Sequence, residues 1–311
     1  ILEADESDGS FIHIPSTYSI ITNIDREHMD FYKSIEELKK YFIEFIKKVP
    51  SFGKSFICID DKLNIEITKK LKSKNFYTYG LNSKSNFLIK NIKQSINFSD
   101  FDLIVNLPNK KKTIIKKFRI PLLGLHNIRN SVAAIAVALT IGISIPNIKK
   151  GLLNFKGVQR RFNKIFTYKG IHFFDDYAHH PTEIRFVLGG VNKVYQGYDK
   201  VCVFQPHRIS RLRDLRKEFS FAFKEADTVI LCPIYTAGEK IKLGFNYFDF
   251  AKEIIKNSKV KLLIVKDDID LAKFFKKNMY GRKIVIGMGA GSISNWMINL
   301  PKFCLLYTSP S

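Results

Sequence analysis

At 311 residues the chain is too long for a peptide hormone or a disulfide-stapled miniprotein, and at roughly 150 residues per domain it reads as about two domains. Hydrophobic residues at 45%, charged residues at 26%, 17 Gly and 10 Pro exclude disorder and fibrous repeats. Lys and Arg number 51 against 29 Asp and Glu, and the resulting charge of +22 would draw polyanions, yet no aromatic residues interleave with runs such as Lys110 to Lys112.

That charge reads as a solvated face, with a basic nucleic-acid-binding module as the competing reading. Cys58, Cys202, Cys232 and Cys304 are widely spaced and form no CxxC pair, which argues against a disulfide framework or a zinc site and for a reducing cytoplasm. The longest apolar stretch, 132–145, is shorter than the ~20 residues of a membrane span and reads as a buried helix, so no membrane partner is expected. The chain opens on ILEADESD, with neither an initiator Met nor a leader pattern, and reads as a fragment that begins at the end of an apolar strand.

Residues 19–23 (SIITN) suit a short buried strand, and 34–49 carries Ile35, Leu38, Phe42, Phe45 and Ile46 at helical spacing. A strand follows the Gly53 turn at 56–59. Between about 76 and 119, short runs rich in Phe, Ile and Val separated by Asn, Ser and Gly predict a small antiparallel set. An Ala-rich helix is expected over 131–139, and a domain boundary near 154–157. Beyond it, apolar runs at 171–174, 201–204, 228–231, 261–265 and 283–286 alternate with polar or helical stretches. This rhythm predicts parallel strands with helices on both faces and functional residues at the strand C-terminal ends.

Several constellations sit where such a fold would place chemistry. Glu3, Asp5, Glu6 and Asp8, joined by Asp25, Glu27, His28 and Asp30, offer oxygen ligands and one imidazole to a divalent cation, or stay solvated. His126, Asn127 and Asn130 lie just before the expected helix, where Asn serves either a polar ligand or the cap. Arg160 and Arg161 at the boundary suit a phosphate or a solvated surface. Asp175, Asp176, Tyr177, His179 and His180 follow one strand. His207, Arg208, Arg211 and Arg213 follow another, where guanidinium groups could clamp a carboxylate or pair with Asp214. Gly287, Gly289 and Gly291 resemble a dinucleotide turn, but Ser292 stands where GxGxxG has its last glycine, so the segment reads as a tight strand-to-helix turn.

Taken in order, EADESDGSF, TNIDREHMDFY, HNIRN, QRRF, DDYAHHPTEI, FQPHRISR and YTAGEK resemble the Mur ligase family, most closely its alanine-adding branch, from Ile1 to about Trp296. The resemblance implies an α/β chain made of a partial central ATPase domain (1–156) followed by a Rossmann-like C-terminal domain (157–302), with 303–311 a non-native tail. It implies a cytoplasmic ligase that uses ATP and Mg2+ to join L-alanine to UDP-N-acetylmuramate through an acyl phosphate, with no specific nucleic acid among its partners. By the same resemblance, Glu3 and His28 would hold magnesium, and Asn127 and Asn130 would contact the nucleotide. Arg161 would reach a phosphate, Asp176 would hold the ribose, and His207, Arg208 and Arg211 would lie at the amino-acid site. Family members carry a UDP-binding domain and a phosphate loop ending in Gly-Lys-Thr upstream of EADES. Neither occurs in this sequence, so the chain alone is expected to be inactive. A sister ligase that attaches a tripeptide to the same sugar nucleotide is the nearest rival.

Overall fold

The computed structural model describes residues 1–311 apart from 73–74, 96, 156, 240–245, 279 and 306–311, and describes Asp30, Cys304 and Leu305 by their backbone alone. Most of the expected 303–311 tail, and Lys240 of the YTAGEK motif, lie outside the described residues. The chain forms two compact units, Ile1–Phe155 and Lys156–Ser311.

In the first unit a 3-10 turn (Ser10–His13) precedes β1 (Tyr18–Ile21), α1 (Met29–Tyr32), α2 (Ile35–Lys47), β2 (Lys54–Cys58), α3 (Lys62–Lys70) and β3 (Phe76–Gly80). Then come β4 (Phe87–Gln94), β5 (Ser99–Val105), β6 (Thr113–Ile120), α4 (Leu125–Thr140) and α5 (Ile145–Asn154). The α2 start is fixed chemically: Ser34 Oγ accepts the Glu37 N–H at 3.1 Å, and Glu36 and Glu37 fall in the first turn, where the helix dipole favours anions.

The strands form one sheet in the order β1-β2-β3-β4-β5-β6. The expectation of an all-antiparallel set over 76–119 needs correction, because β3 runs parallel to both β2 and β4, and only β4, β5 and β6 are antiparallel. The physical reason is a short overlap. Residues 81–86 are too few for a crossover, so β4 continues in the direction of β3 and pairs with it only at Tyr79↔Phe87 and Gly80↔Leu88. Asp60 pins this step by accepting the N–H groups of Leu81 (2.8 Å) and Asn82 (3.0 Å). Gly80 is required there: its φ is +139°, and a Cβ would lie 2.5 Å from Asp60 Oδ1.

Helix α4 lays Ile128, Val132, Ala133, Ile135 and Ala136 against Phe56, Tyr79, Phe87, Phe101 and Phe118 in one buried cluster, and the Arg129 Nε donates to Asp60 at 2.7 Å. The helix begins at Leu125, earlier than the expected 131, with Gly124 as its cap at φ +91°. His126, Asn127 and Asn130 therefore lie in its first turns rather than before it, and no side chain caps it.

The second unit contains β7 (Asn163–Tyr168), β8 (Ile171–Asp176), α6 (Pro181–Val194), β9 (Asp199–Phe204), α7 (Ile209–Asp214), α8 (Arg216–Ser220) and β10 (Thr228–Leu231). These are followed by α9 (Tyr247–Ser258), β11 (Lys261–Ile264), α10 (Asp268–Asn278), β12 (Lys283–Met288) and α11 (Ile293–Leu305). The five apolar runs read from sequence are β8 to β12, all parallel in the order β11-β10-β9-β12-β8-β7, with β7 antiparallel at the edge.

Alternation along the strands covers both faces. Ile171, Phe173, Val201, Val203, Ile230 and Val285 pack with Leu271 and Phe275 of α10 and Ile293, Met297 and Leu300 of α11. On the other face Phe174 meets Tyr195 at 6.1 Å, and Phe204 meets Phe219 (5.7 Å) and Phe223 (5.2 Å) around α8. Among the described residues no helix is long and apolar enough to cross a membrane.

Candidate active site

In the second sheet the connection from β8 to β9 skips the place taken by β12, so the segments leaving β9 and β12 diverge at the C-terminal edge. Open α/β sheets bind ligands at such a switch point. Gln205, buried at the end of β9, closes the floor: its Nε2 donates to Ser292 Oγ (3.0 Å) and its Oε1 accepts the Ile293 N–H (3.0 Å). The glycine turn after β12 is filled by protein. A Cβ on Gly291 would meet Tyr235 Cγ at 2.5 Å and Gln205 Oε1 at 2.6 Å.

The two boundary arginines part company. Arg160, at φ +58°, turns inward: its Nη2 donates to Gly289 O at 2.5 Å, its Nε lies 3.7 Å from Asp175, and its guanidinium covers the Tyr177 ring at 4.7 Å. Arg161 points to solvent, held by Glu183 Oε1 at 3.4 Å. Asp175 accepts the Ser294 hydroxyl (2.6 Å), and burial pushes its carboxyl above the usual range against the pull of Ser294 and Arg160. Burial likewise pushes Asp176 up to about 6, although its oxygens accept the Ala178 and Phe162 N–H groups at 2.8 Å each. Asp176 is 2% exposed, and through those two amides its carboxylate organises the loop that carries Arg161.

Three segments converge beside them. At the start of α6, Glu183 accepts the N–H groups of His179 (2.9 Å) and His180 (3.2 Å) and so fixes the HHP turn. His179 Nδ1 lies 3.0 Å from Tyr177 O, which can only accept; the proton therefore sits on Nδ1, and Nε2 is the acceptor nitrogen. His207 has the opposite tautomer, because its Nδ1 lies 3.2 Å from Arg211 Nη1, which can only donate. The two imidazoles meet edge to face at 5.6 Å, and Tyr235 from the β10 loop stacks on His207 at 5.5 Å and 10°. Burial, then His179, Arg211 and Arg208, push His207 down to about 4, so it is neutral at physiological pH.

This corner offers guanidinium groups to a carboxylate and a neutral imidazole to an ammonium or its proton. His207, Arg208, Arg211, Arg161 and Asp176 thus lie along one sheet edge. Sequence reading gave no role to Tyr235, Glu239, Gln205 and Glu183, which only strand order brings there. The signal available for them was membership of the quoted motifs: Gln205 in FQPHRISR, Glu183 in DDYAHHPTEI, and Tyr235 and Glu239 in YTAGEK.

In the first unit the buried Tyr32 donates its hydroxyl to Glu6 O and so ties the acidic loop beside α1. His28, at φ +56°, caps that helix with its Nε2 at 3.7 Å from Glu6 and 3.6 Å from Glu27. Ligand atoms of Glu6, Glu27 and His28 all lie within 4.8 Å of one another, while Glu3 is exposed and outside this group. Two carboxylates and one imidazole suit a hard cation that keeps several waters. Asn127 spends its side-chain N–H on Leu123 O (2.6 Å), whereas Asn130 is exposed.

Family models match both units: the Mur ligase middle domain over residues 2–138, and the Mur ligase glutamate ligase domain over residues 160–291. The chain belongs to the Mur ligase family. This Mur ligase chain is 68% identical over 302 residues to the UDP-N-acetylmuramate–L-alanine ligase of Pelagibacter ubique, covering 97% of itself and 65% of that relative. It is 41% identical to the protein of the same name from Rickettsia canadensis, covering 97% of itself and 64% of the relative. It therefore spans just under two thirds of the length of the curated relatives it matches. Among solved structures, the UDP-N-acetylmuramate-alanine ligase of Thermotoga maritima superposes with a TM-score of 0.73 at 23% identity, covering 99% of this Mur ligase chain and 63% of that one. A murein peptide ligase from Psychrobacter arcticus gives a TM-score of 0.64 at 18% identity, covering 96% and 59%. Both share the fold.

Proposed function

We propose that this chain serves an enzyme that uses ATP to ligate L-alanine to UDP-N-acetylmuramate in cytoplasmic peptidoglycan synthesis. The observation that carries this reading is the 68% identity, across 97% of the chain, to a relative bearing that name. In the reaction the sugar-nucleotide carboxylate attacks the γ-phosphorus of ATP, ADP leaves, and an acyl phosphate forms. The amine of L-alanine then attacks the acyl carbon and phosphate departs.

Carboxylate and nucleotide are both anionic, so the first step needs cations placed beforehand. Magnesium, when bound, would supply part of that charge, and Glu6, Glu27 and His28 are the donor set that fits it. Arg161, exposed and steered by Glu183, is the side chain suited to a phosphate, and Asn130 to the nucleotide. Asp176 acts on Arg161 through the Phe162 amide and is a positioning residue. Arg211 and Arg208 would bind the carboxylate of L-alanine, with His179 Nε2 accepting from its amino group.

The polypeptide expressed with everything in its reading frame should release phosphate from ATP and UDP-N-acetylmuramate only when L-alanine is added. Release with the tripeptide L-Ala-γ-D-Glu-meso-diaminopimelate and none with L-alanine would replace this reading by the tripeptide one. For the metal, Mn2+ titrated into the chain and followed by electron paramagnetic resonance should bind at least roughly tenfold more weakly to Glu27→Gln or His28→Ala than to the parent, because each removes one ligand from the set. An equal loss in Glu3→Gln with none in Glu27→Gln would move the site to Glu3.

A further inference from the structure

Glu239 lies thirty residues from the helix it holds. Its Oε2 accepts the N–H groups of Ile209 (2.7 Å) and Ser210 (3.0 Å), and its Oε1 accepts the Ser210 hydroxyl (2.6 Å). The same loop grips the preceding residues: Tyr235 O accepts the Arg208 N–H and Tyr235 N donates to Pro206 O, both at 2.8 Å, while the Tyr235 ring stacks on His207. Residues 206–210 are thus held at one end by Tyr235 and at the other by Glu239. Between them Arg208 adopts φ +65° and ψ 136°, a backbone conformation that a side chain other than Gly keeps only when its surroundings enforce it. One turn on, Arg211 reaches back to His207.

We propose that Glu239 is a positioning residue that locks the β10 loop onto the first turn of α7 and so sets His207 and Arg211 for the amino-acid substrate. The lock stands on the geometry alone; the identity of the substrate rests on the function proposed above. Burial raises the Glu239 carboxyl, but the Ser210 and Ile209 hydrogen bonds and Arg208 outweigh it and hold the group below the usual range, so the lock is charged at neutral pH.

The ring of His207 reports the lock. It is faced by His179 from the β8–α6 loop, by Arg208 just before α7 and Arg211 within it, and by Tyr235 and Glu239 of the β10 loop. Glu239 as a mere charge raises the His207 pKa, so its removal would lower that value further. Glu239 as a lock keeps the ring buried, so its removal lets water in and raises the value.

The test is the pH titration of the His207 ring by 1H–15N correlation in the full chain, in wild type, Glu239→Gln and Ser210→Ala. The expected result is a rise of about one unit or more from the wild-type value near 4 in Glu239→Gln, and a smaller rise in Ser210→Ala, which keeps the charge. No change or a fall in both variants overturns the lock. L-alanine added to the same samples should shift the His207 signals in wild type and bind roughly tenfold more weakly in Glu239→Gln. A wild type that ignores L-alanine sinks the amino-acid reading, while the titration still decides the lock.

Discussion

Replacing Phe204 by Ala is expected to cost the second unit about 3–5 kcal/mol, the range for a large aromatic removed from a core that cannot collapse around the gap. Phe204 is fully buried on β9, hydrogen-bonded between β10 and β12, and its ring packs on Phe219 and Phe223. Neighbours on a central strand are held by ladders on both sides and have little freedom to close the space. Urea unfolding followed by the fluorescence of Trp296, the one tryptophan of the chain, isolates the event because Trp296 packs against the core of this unit. A loss below about 1 kcal/mol would mean that the aromatic layer repacks like a fluid, contrary to the density expected of protein interiors.

The Asp176→Asn variant should change the pH dependence of stability by about 3 kcal/mol. In the folded chain Asp176 keeps its proton up to about pH 6, whereas its ordinary value is 3.8. Between those values the folded state binds more protons than the unfolded one, so the wild-type contribution falls as pH rises from about 4 to 6 and is level above that. A shift of this size corresponds to about 3 kcal/mol. The raised carboxyl of Asp175 acts in the same direction, while the lowered values of His207 and His179 make stability rise with pH, for His207 over the same window of about pH 4 to 6, and so oppose it. The telling quantity is therefore the difference between variant and wild type, which should move in favour of Asp176→Asn between pH 4 and 7. A constant difference would show that Asp176 ionises like an exposed carboxylate. The charge is retained at neutral pH because it clamps the amides of Phe162 and Ala178.

The parallel core of the second unit was legible because each of its strands is a compact run of apolar residues, and the helix–strand rhythm admits few other topologies. The edge strand β7 was not, since Asn163–Tyr168 mixes polar and apolar residues and pairs with β8 through a register shift. Helix α3 escaped because KLNIEITKK is short and polar, its start set by the Asp61 carboxylate accepting the Asn64 N–H. The α4 start was read late because Gly124 and the asparagines mimic a loop. At the site, His207, Arg208 and Arg211 could be found because they follow a strand. Glu239 could not, because its partners lie thirty residues away and only the β9–β10 pairing brings them close. The acidic loop illustrates the same limit: Glu3 and Glu6 are near neighbours in sequence, and the hydrogen bond from Tyr32 to Glu6 brings the second toward His28.

The insertion of β12 between β9 and β8 has a consequence for synthesis. A ribosome delivers β8 first and β9 next, yet these two strands never pair; the middle of the sheet stays an open slot until Lys283–Met288 emerges. Until then both flanking strands present unpaired backbone edges lined with phenylalanine and valine, which are templates for pairing with another nascent chain. The unit therefore closes from its last strand inward, and a stalled or prematurely ended translation product that stops short of β12 should be a substrate for chaperones and proteases rather than a partly folded enzyme.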